Sequence, residues 1–287
     1  MAIDFKTLNS VLPFILDAKF PVLIRGRHGI GKSAIVYQIA EQRGLPVIER
    51  RASQMTEGDL LGLPKIIGNV THWLAPQWLH DACEKPAILF LDEVDRATME
   101  VRQGIFELCD SRKIAGYTLH PDTLIFACVN GGEHGAQYQV GEFDPAELDR
   151  YTCFDVQPTV EDWLEWADGN VVDQVWDFIN QNHQHLEHTD EYEPNKVYPS
   201  RRSWVRLSDA LLAMGGEIKQ SPVLYHLASS FIGFEGAVAF NDFVANYKKI
   251  VTVENILDEG KLELTKDFKI NDHNALIEKF KQSKCFD

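Results

Sequence analysis

Eight consecutive residues, Gly26-Arg27-His28-Gly29-Ile30-Gly31-Lys32-Ser33, satisfy every fixed position of the pattern G-x-x-x-x-G-K-[ST]. Glycines in such a turn let the backbone close around phosphate oxygens with no Cβ in the way. The helix that follows aims its first N–H groups at the anion. Lys32 then reaches the β- and γ-phosphates, and the Ser33 hydroxyl ligates Mg²⁺. A glycine turn that binds nothing would show the same letters. The context favours the cradle, because the apolar run FPVLIR precedes it and a helical pattern follows.

Asp92 and Glu93 close a second apolar run, AILFL, 60 residues beyond Lys32. Open parallel sheets present their chemistry at the carboxyl ends of their strands. Asp92 is therefore placed to hold the metal, and Glu93 to polarise a water for in-line attack on the γ-phosphate. Asn130 ends a third such run, LIFACV, and its amide could hold that water. It also begins Asn-Gly-Gly, a good turn signal. Arg150 follows DPAELD; taken alone, an Asp-Arg pair is usually a surface ion pair of small consequence. Arg201 and Arg202 open a helical pattern against the dipole preference, which makes sense beside an anion.

These residues need elements to position them. Residues 20–25, 45–49, 87–91, 123–129 and 153–156 read as short strands. Residues 4–19, 33–42 and 99–109 read as helices between them. Strands alternating with helices predict an α/β fold with a parallel sheet covered on both faces. Hairpins are expected around Gly68-Asn69 and over residues 113–120. After Pro158 the pattern turns helical, over residues 161–182, 203–214, 222–231 and 237–250. Two domains are expected, 1–157 and 158–287. Residues 183–199 read as an exposed polar loop.

The balance of charge narrows the partners. Lys and Arg number 28 against 43 Asp and Glu, a formal net charge of −15. Such a chain is a poor non-specific binder of nucleic acid or anionic membrane. Five cysteines, none in a C-x-x-C arrangement, fit a reducing compartment. No secretory leader is read at the N-terminus, and the apolar run 87–91 is too short to span a bilayer. A cytoplasmic protein with no membrane contact is expected.

The ordered set GRHGIGKS (26–33), MTEGDLLGLP (55–64), AILFLDEVDRATMEVRQGIFEL (87–108), RKIAGYTLHPDTLIFACVN (112–130), FDPAELDRY (143–151) and PSRRSW (199–204) resembles the AAA+ ATPases, and within them the MoxR branch. The resemblance covers roughly residues 5–250. It implies a P-loop AAA+ core with a five-stranded parallel sheet and a small helical lid, binding ATP and Mg²⁺. It further implies assembly into a homo-oligomeric ring, usually a hexamer. In its terms Lys32 and Ser33 match Walker A, Asp92 and Glu93 Walker B, and Asn130 sensor 1. Arg150 matches the finger that reaches the next subunit's γ-phosphate. Arg202 matches the lid's sensor 2 best, with Arg201 a rival because it stands where the family carries proline. The sensor strand is expected between the other two motif strands. Residues 56–81 and 112–122 match an insert and a hairpin that face the pore or upper surface. Proteins of this branch are commonly found with partners carrying a von Willebrand factor A domain, and act as remodelers of protein clients.

Other features are set aside. His183, His185 and His188 lack a zinc-type spacing. Trp163 and Trp166 are expected to pack, and Trp73 and Trp78 either grip a client or pack in a hairpin. A nucleic-acid motor is the rival function, for which Arg112-Lys113 is a slender hint. A scaffold that binds ATP without turning it over is disfavoured by Glu93.

Overall fold

A computed structural model describes residues 2–130, 143–189, 192–215 and 218–247, with scattered positions between 256 and 280. The chain divides into two compact units, Met1–Pro158 and Thr159–Asp287.

In the first unit the described elements run α1 (Phe5–Asp17), β1 (Val22–Arg25), α2 (Lys32–Arg43), β2 (Val47–Arg51), α3 (Glu57–Leu61), β3 (Leu63–Ile67), β4 (Val70–Leu74), α4 (Gln77–Glu84), β5 (Ile88–Asp92), α5 (Met99–Ser111), β6 (Lys113–Ile114), β7 (Tyr117–Thr118), β8 (Leu124–Val129), α6 (Pro145–Leu148) and β9 (Thr152–Asp155). Five of the strands form one parallel sheet in the order β2-β5-β8-β1-β9. The strand that ends at Asn130 thus lies between the phosphate-loop strand and the acidic strand, as the resemblance implied.

Strand periodicity divides the core in two. Ile88, Phe90, Phe126, Val22 and Ile24 pack on one face with α1 and α2. Leu89, Leu91, Ile125, Ala127 and Leu23 pack on the other with α4 and α5. A sheet covered on both sides has no wet face, which is why its central strands read as continuous apolar runs rather than alternating ones.

The second unit holds α7 (Val160–Ala167), α8 (Asp173–Gln181), α9 (Arg201–Met214) and α10 (Pro222–Ala245). Its centre is aromatic: Phe178 lies 5.3 Å from Trp204 and 5.4 Å from Phe240, between ring centroids. Two expectations are corrected here. The helix expected over 161–182 is two helices, because Gly169 takes φ 72° and ends the first. The loop expected over 183–199 is partly structural. His183–His185 form a 3-10 turn, Leu186 is buried, and the Trp204 indole donates to the His185 carbonyl at 2.8 Å. The two helices expected after residue 222 meet within α10 at a break, where Gly233 takes the non-helical values φ 75° and ψ 179°; residues 248–250 of that expectation lie outside the described residues.

The sequence reading also missed that α10 is long and apolar enough to cross a membrane. Its Leu224, Ala228, Ile232, Ala237 and Phe240 are buried in the helical unit's core, and the bend at Gly233 interrupts it. Core helices of this kind have the same length and composition as a membrane span.

Candidate nucleotide site

The turn between β1 and α2 is anchored at its first residue. Gly26 N–H donates to the Val129 carbonyl at 3.3 Å, and Val156 N–H donates to the Arg25 carbonyl at 2.8 Å. A Cβ on Gly26 would stand 2.6 Å from the Val156 carbonyl oxygen, so only glycine fits between the strands there. Gly31 takes φ 107° as the helix cap, a conformation that side chains resist. The first N–H groups of α2 then point out of the turn, as the first four of any helix do.

Lys32 is 7% exposed, and its ammonium donates to the Gly26 carbonyl at 2.8 Å, the Arg27 carbonyl at 2.7 Å and Asn130 Oδ1 at 2.9 Å. Asn130 is oriented in turn, since its N–H donates to Asp95 Oδ2 at 3.0 Å. A single line of bonds therefore joins the cradle, the end of β8 and the turn after β5. Lys32 also exerts its charge on Asp92 and Asp95. Burial pushes both carboxyls above the usual range, and in each case a backbone N–H donated to the carboxylate opposes it: Glu93's for Asp92, Asn130's for Asp95. Sequence reasoning missed Asp95, which is buried and carries no motif letter of its own.

Glu93 has φ 55° and ψ 39°, left-handed for a residue with a side chain. Such backbone costs on the order of 1 kcal/mol and concentrates at functional sites. It turns Glu93 away from the strand's alternation. The carboxylate then accepts a 2.5 Å hydrogen bond from the Ser53 hydroxyl, carried by the turn after β2. Ser53 was also missed; one serine in a polar stretch gives no signal.

The structure brings Gly26, Arg27, His28, Gly29, Ile30, Gly31, Lys32, Ser33, Asp92, Glu93 and Asn130 to the carboxyl ends of the three central strands. Arg150 follows α6 in the same unit and donates to the Ala146 carbonyl at 2.5 Å. Arg202 is exposed at the start of α9, in the second unit. Arg201 is buried there and held by that unit: it donates to the Thr159 carbonyl at 2.7 Å and to Glu187 Oε2 at 3.3 Å. The anion expected beside the paired arginines is thus, for Arg201, a carboxylate.

A Mg²⁺ ion suits this end of the sheet. Such an ion takes one or two protein oxygens and completes its shell with water and phosphate, and the Ser33 hydroxyl and Asp92 carboxylate are oxygen donors of that kind. Among the described residues no group of three or more His, Cys, Asp or Glu could hold a metal.

Two small ribbons flank the core. The β3–β4 ribbon turns at Gly68 and leaves Leu63, Ile66, Ile67, Val70 and Leu74 exposed; Ile66 is 77% exposed. Trp73 is partly exposed, whereas Trp78 is buried, with its indole donating to the Asp59 carbonyl. Tyr117 in the second ribbon grips the base of the first. Its hydroxyl donates to the Trp73 carbonyl at 2.7 Å and accepts from Ala75 N–H at 3.2 Å. Arg112 turns inward to the His120 and Thr123 carbonyls at 3.0 and 2.6 Å, so the basic pair Arg112-Lys113 is in half a structural clamp.

This strand order, with a phosphate loop after β1 and an acidic pair after β5, is the AAA+ form of the P-loop fold, and residues 21–129 match the family model described as AAA domain, dynein-related subfamily. Among curated relatives, midasin of Giardia intestinalis is 33% identical over 124 residues, which are 40% of this chain and 2% of midasin. Protein CbbQ of Hydrogenophilus thermoluteolus is 31% identical over 126 residues, 41% of this chain and 47% of CbbQ. The match thus spans about half the length of CbbQ and a small fraction of midasin. Similar solved structures include the Thermotoga maritima RuvB Holliday junction branch migration motor, 14% identical with a TM-score of 0.47, covering 90% of this chain and 78% of that one. NtrX from Brucella abortus in complex with ATP is 16% identical with a TM-score of 0.46, covering 75% of this chain and 50% of that one.

Proposed function

We propose that this chain is a Mg²⁺-dependent ATPase of MoxR type, which works in the cytoplasm as a homo-oligomeric ring, a hexamer, and uses hydrolysis to remodel a protein client. The carrying observation is the line Lys32–Asn130–Asp95, which ties the phosphate cradle to the acidic turn. In this reading Lys32 leaves its carbonyl acceptors for the β- and γ-phosphates, and the N–H groups of the turn take the remaining phosphate charge. Ser33 and Asp92 would hold Mg²⁺, which when bound would supply positive charge against that developing on the phosphates. Asn130 orients the attacking water, and Glu93 accepts its proton. Arg150 stabilises the γ-phosphate of a neighbouring subunit's ATP, and Arg202 serves as the lid's sensor. A site shared by two subunits links nucleotide state to ring shape. The exposed β3–β4 ribbon is the surface we assign to client contact, and a protein with a von Willebrand factor A domain is the partner.

In this scheme the Ser53 hydroxyl restrains Glu93, because the bond it donates to the carboxylate must be given up before Glu93 takes a proton from water. A hydrogen bond to a charged group contributes about 1.5 kcal/mol, so Ser53→Ala is expected to raise basal turnover by about tenfold. Phosphate release at saturating ATP checks this; an unchanged or lower rate removes Ser53 from the scheme.

The remodeling reading is tested by trapping. Glu93→Gln protein, loaded with ATP and Mg²⁺, is expected to retain a client through washing, and the same protein in ADP is expected to release it. Capture independent of nucleotide overturns a client coupled to ATP. Stimulation of turnover by DNA in a salt-sensitive manner, without any protein, favours a nucleic-acid motor instead.

A further inference from the structure

We infer that Arg102 is the positioning residue for Arg150, fixing the helical turn from which that arginine is offered to a neighbouring subunit; the inference rests on the trans role assigned to Arg150 above. The turn in question, α6, is four residues long and buries none of them. A single turn of helix does not hold itself together in water. Two devices hold this one. The first is local: Asp144 accepts from Glu147 N–H at 2.8 Å, and Glu147 Oε2 accepts from Asp144 N–H at 3.0 Å. The second is distant in sequence. The same Glu147 Oε2 accepts from Arg102 Nη2 at 2.7 Å, with the Arg102 side chain 5% exposed and that of Glu147 12% exposed.

The guanidinium is itself fixed. It lies 4.6 Å from the centre of the Phe143 ring and 5.9 Å from that of Phe106, and Phe106 packs edge-on against Tyr151 at 6.1 Å. Arginine, unlike lysine, can stack its flat group on rings while its N–H groups serve a carboxylate. Phe143 and Tyr151 flank α6 on either side, and Arg150 N–H bonds the Glu147 carbonyl at 3.4 Å. Arg102 thus touches the turn at its start and at the residue whose carbonyl receives Arg150. Its own helix, α5, begins six residues after Glu93. The rod that follows the acidic pair of one nucleotide site therefore also carries the grip on the arginine lent to the next.

Arg102→Met and Glu147→Gln are each expected to lower turnover in assembled protein by at least about tenfold, the loss of one charge-assisted bond, while ATP affinity stays within about twofold. Subunit mixing separates positioning from damage to the variant's own site. Arg102→Met mixed with Lys32→Ala is expected to recover activity, since the Lys32→Ala subunit binds no ATP but lends an intact Arg150. Arg102→Met mixed with Arg150→Ala is expected to recover none. Recovery in the second mixture but not the first overturns the inference, because it places the defect in the site of Arg102's own subunit. So does wild-type turnover of both single variants. If Arg102→Met fails to fold, Glu147→Gln goes through the same mixtures. Arg150→Ala alone turning over at the wild-type rate overturns the assignment of Arg150 itself, a result separable from failure of the Arg102 link.

Discussion

Lys32→Ala is expected to abolish measurable ATP binding, with an affinity loss of at least about 100-fold, the equivalent of about 3 kcal/mol for charge-assisted bonds to two phosphates. The side chain is buried and makes three short bonds at the mouth of the turn. An ammonium enclosed in this way has shed most of its water already, so its attraction to phosphate is not weakened by further desolvation. Alanine keeps the helical backbone of α2, and its N–H groups remain. The loss should therefore appear in titration calorimetry with a slowly hydrolysed ATP analogue, while the far-ultraviolet dichroism stays that of the native protein. Unchanged affinity refutes the cradle.

Glu93→Gln is expected to retain ATP binding and to lose turnover by about 100- to 1,000-fold, the range a positioned general base contributes. Glutamine is nearly the same shape and still accepts from the Ser53 hydroxyl, so the left-handed backbone at residue 93 has no new reason to relax. What it lacks is the capacity to take a proton from water. Steady-state phosphate release against ATP concentration makes the distinction: the plateau falls and the half-saturation point does not rise. Wild-type turnover removes Glu93 as the base.

The strands were the most legible part of the chain. VLI (22–24), AILFL and LIFACV are apolar throughout because both sheet faces are covered, and each is followed by a polar or charged residue. What failed was contact between residues far apart in sequence. Glu93 meets Ser53 across 40 positions, and Arg102 meets Glu147 across 45. No periodicity encodes such pairs, and nothing within MEVRQ marks its arginine for a partner 45 positions away. Asp95 stood two residues beyond the acidic pair. The break after Ala167 did have a signal, Asp168-Gly169-Asn170, which the apolar positions on either side outweighed. The break within α10 was legible between residues 231 and 237, whereas the hydropathy of its two helical stretches taken together was not.

The alignment of the sheet has a further consequence. Leu91 pairs with Ala127 and Ala127 with Leu23, and Val129 pairs with Arg25, so β8 and β1 finish level and β5 ends one residue short of them, at Asp92 opposite Cys128. A parallel strand advances about 3.3 Å per residue and reverses its side chains at each step. Adding or deleting one residue within any of the three would shift its terminal group by one step against its neighbours and swap its two packed faces together. Length in these strands is therefore quantised: point substitutions of similar volume can be absorbed there, and single-residue insertions cannot.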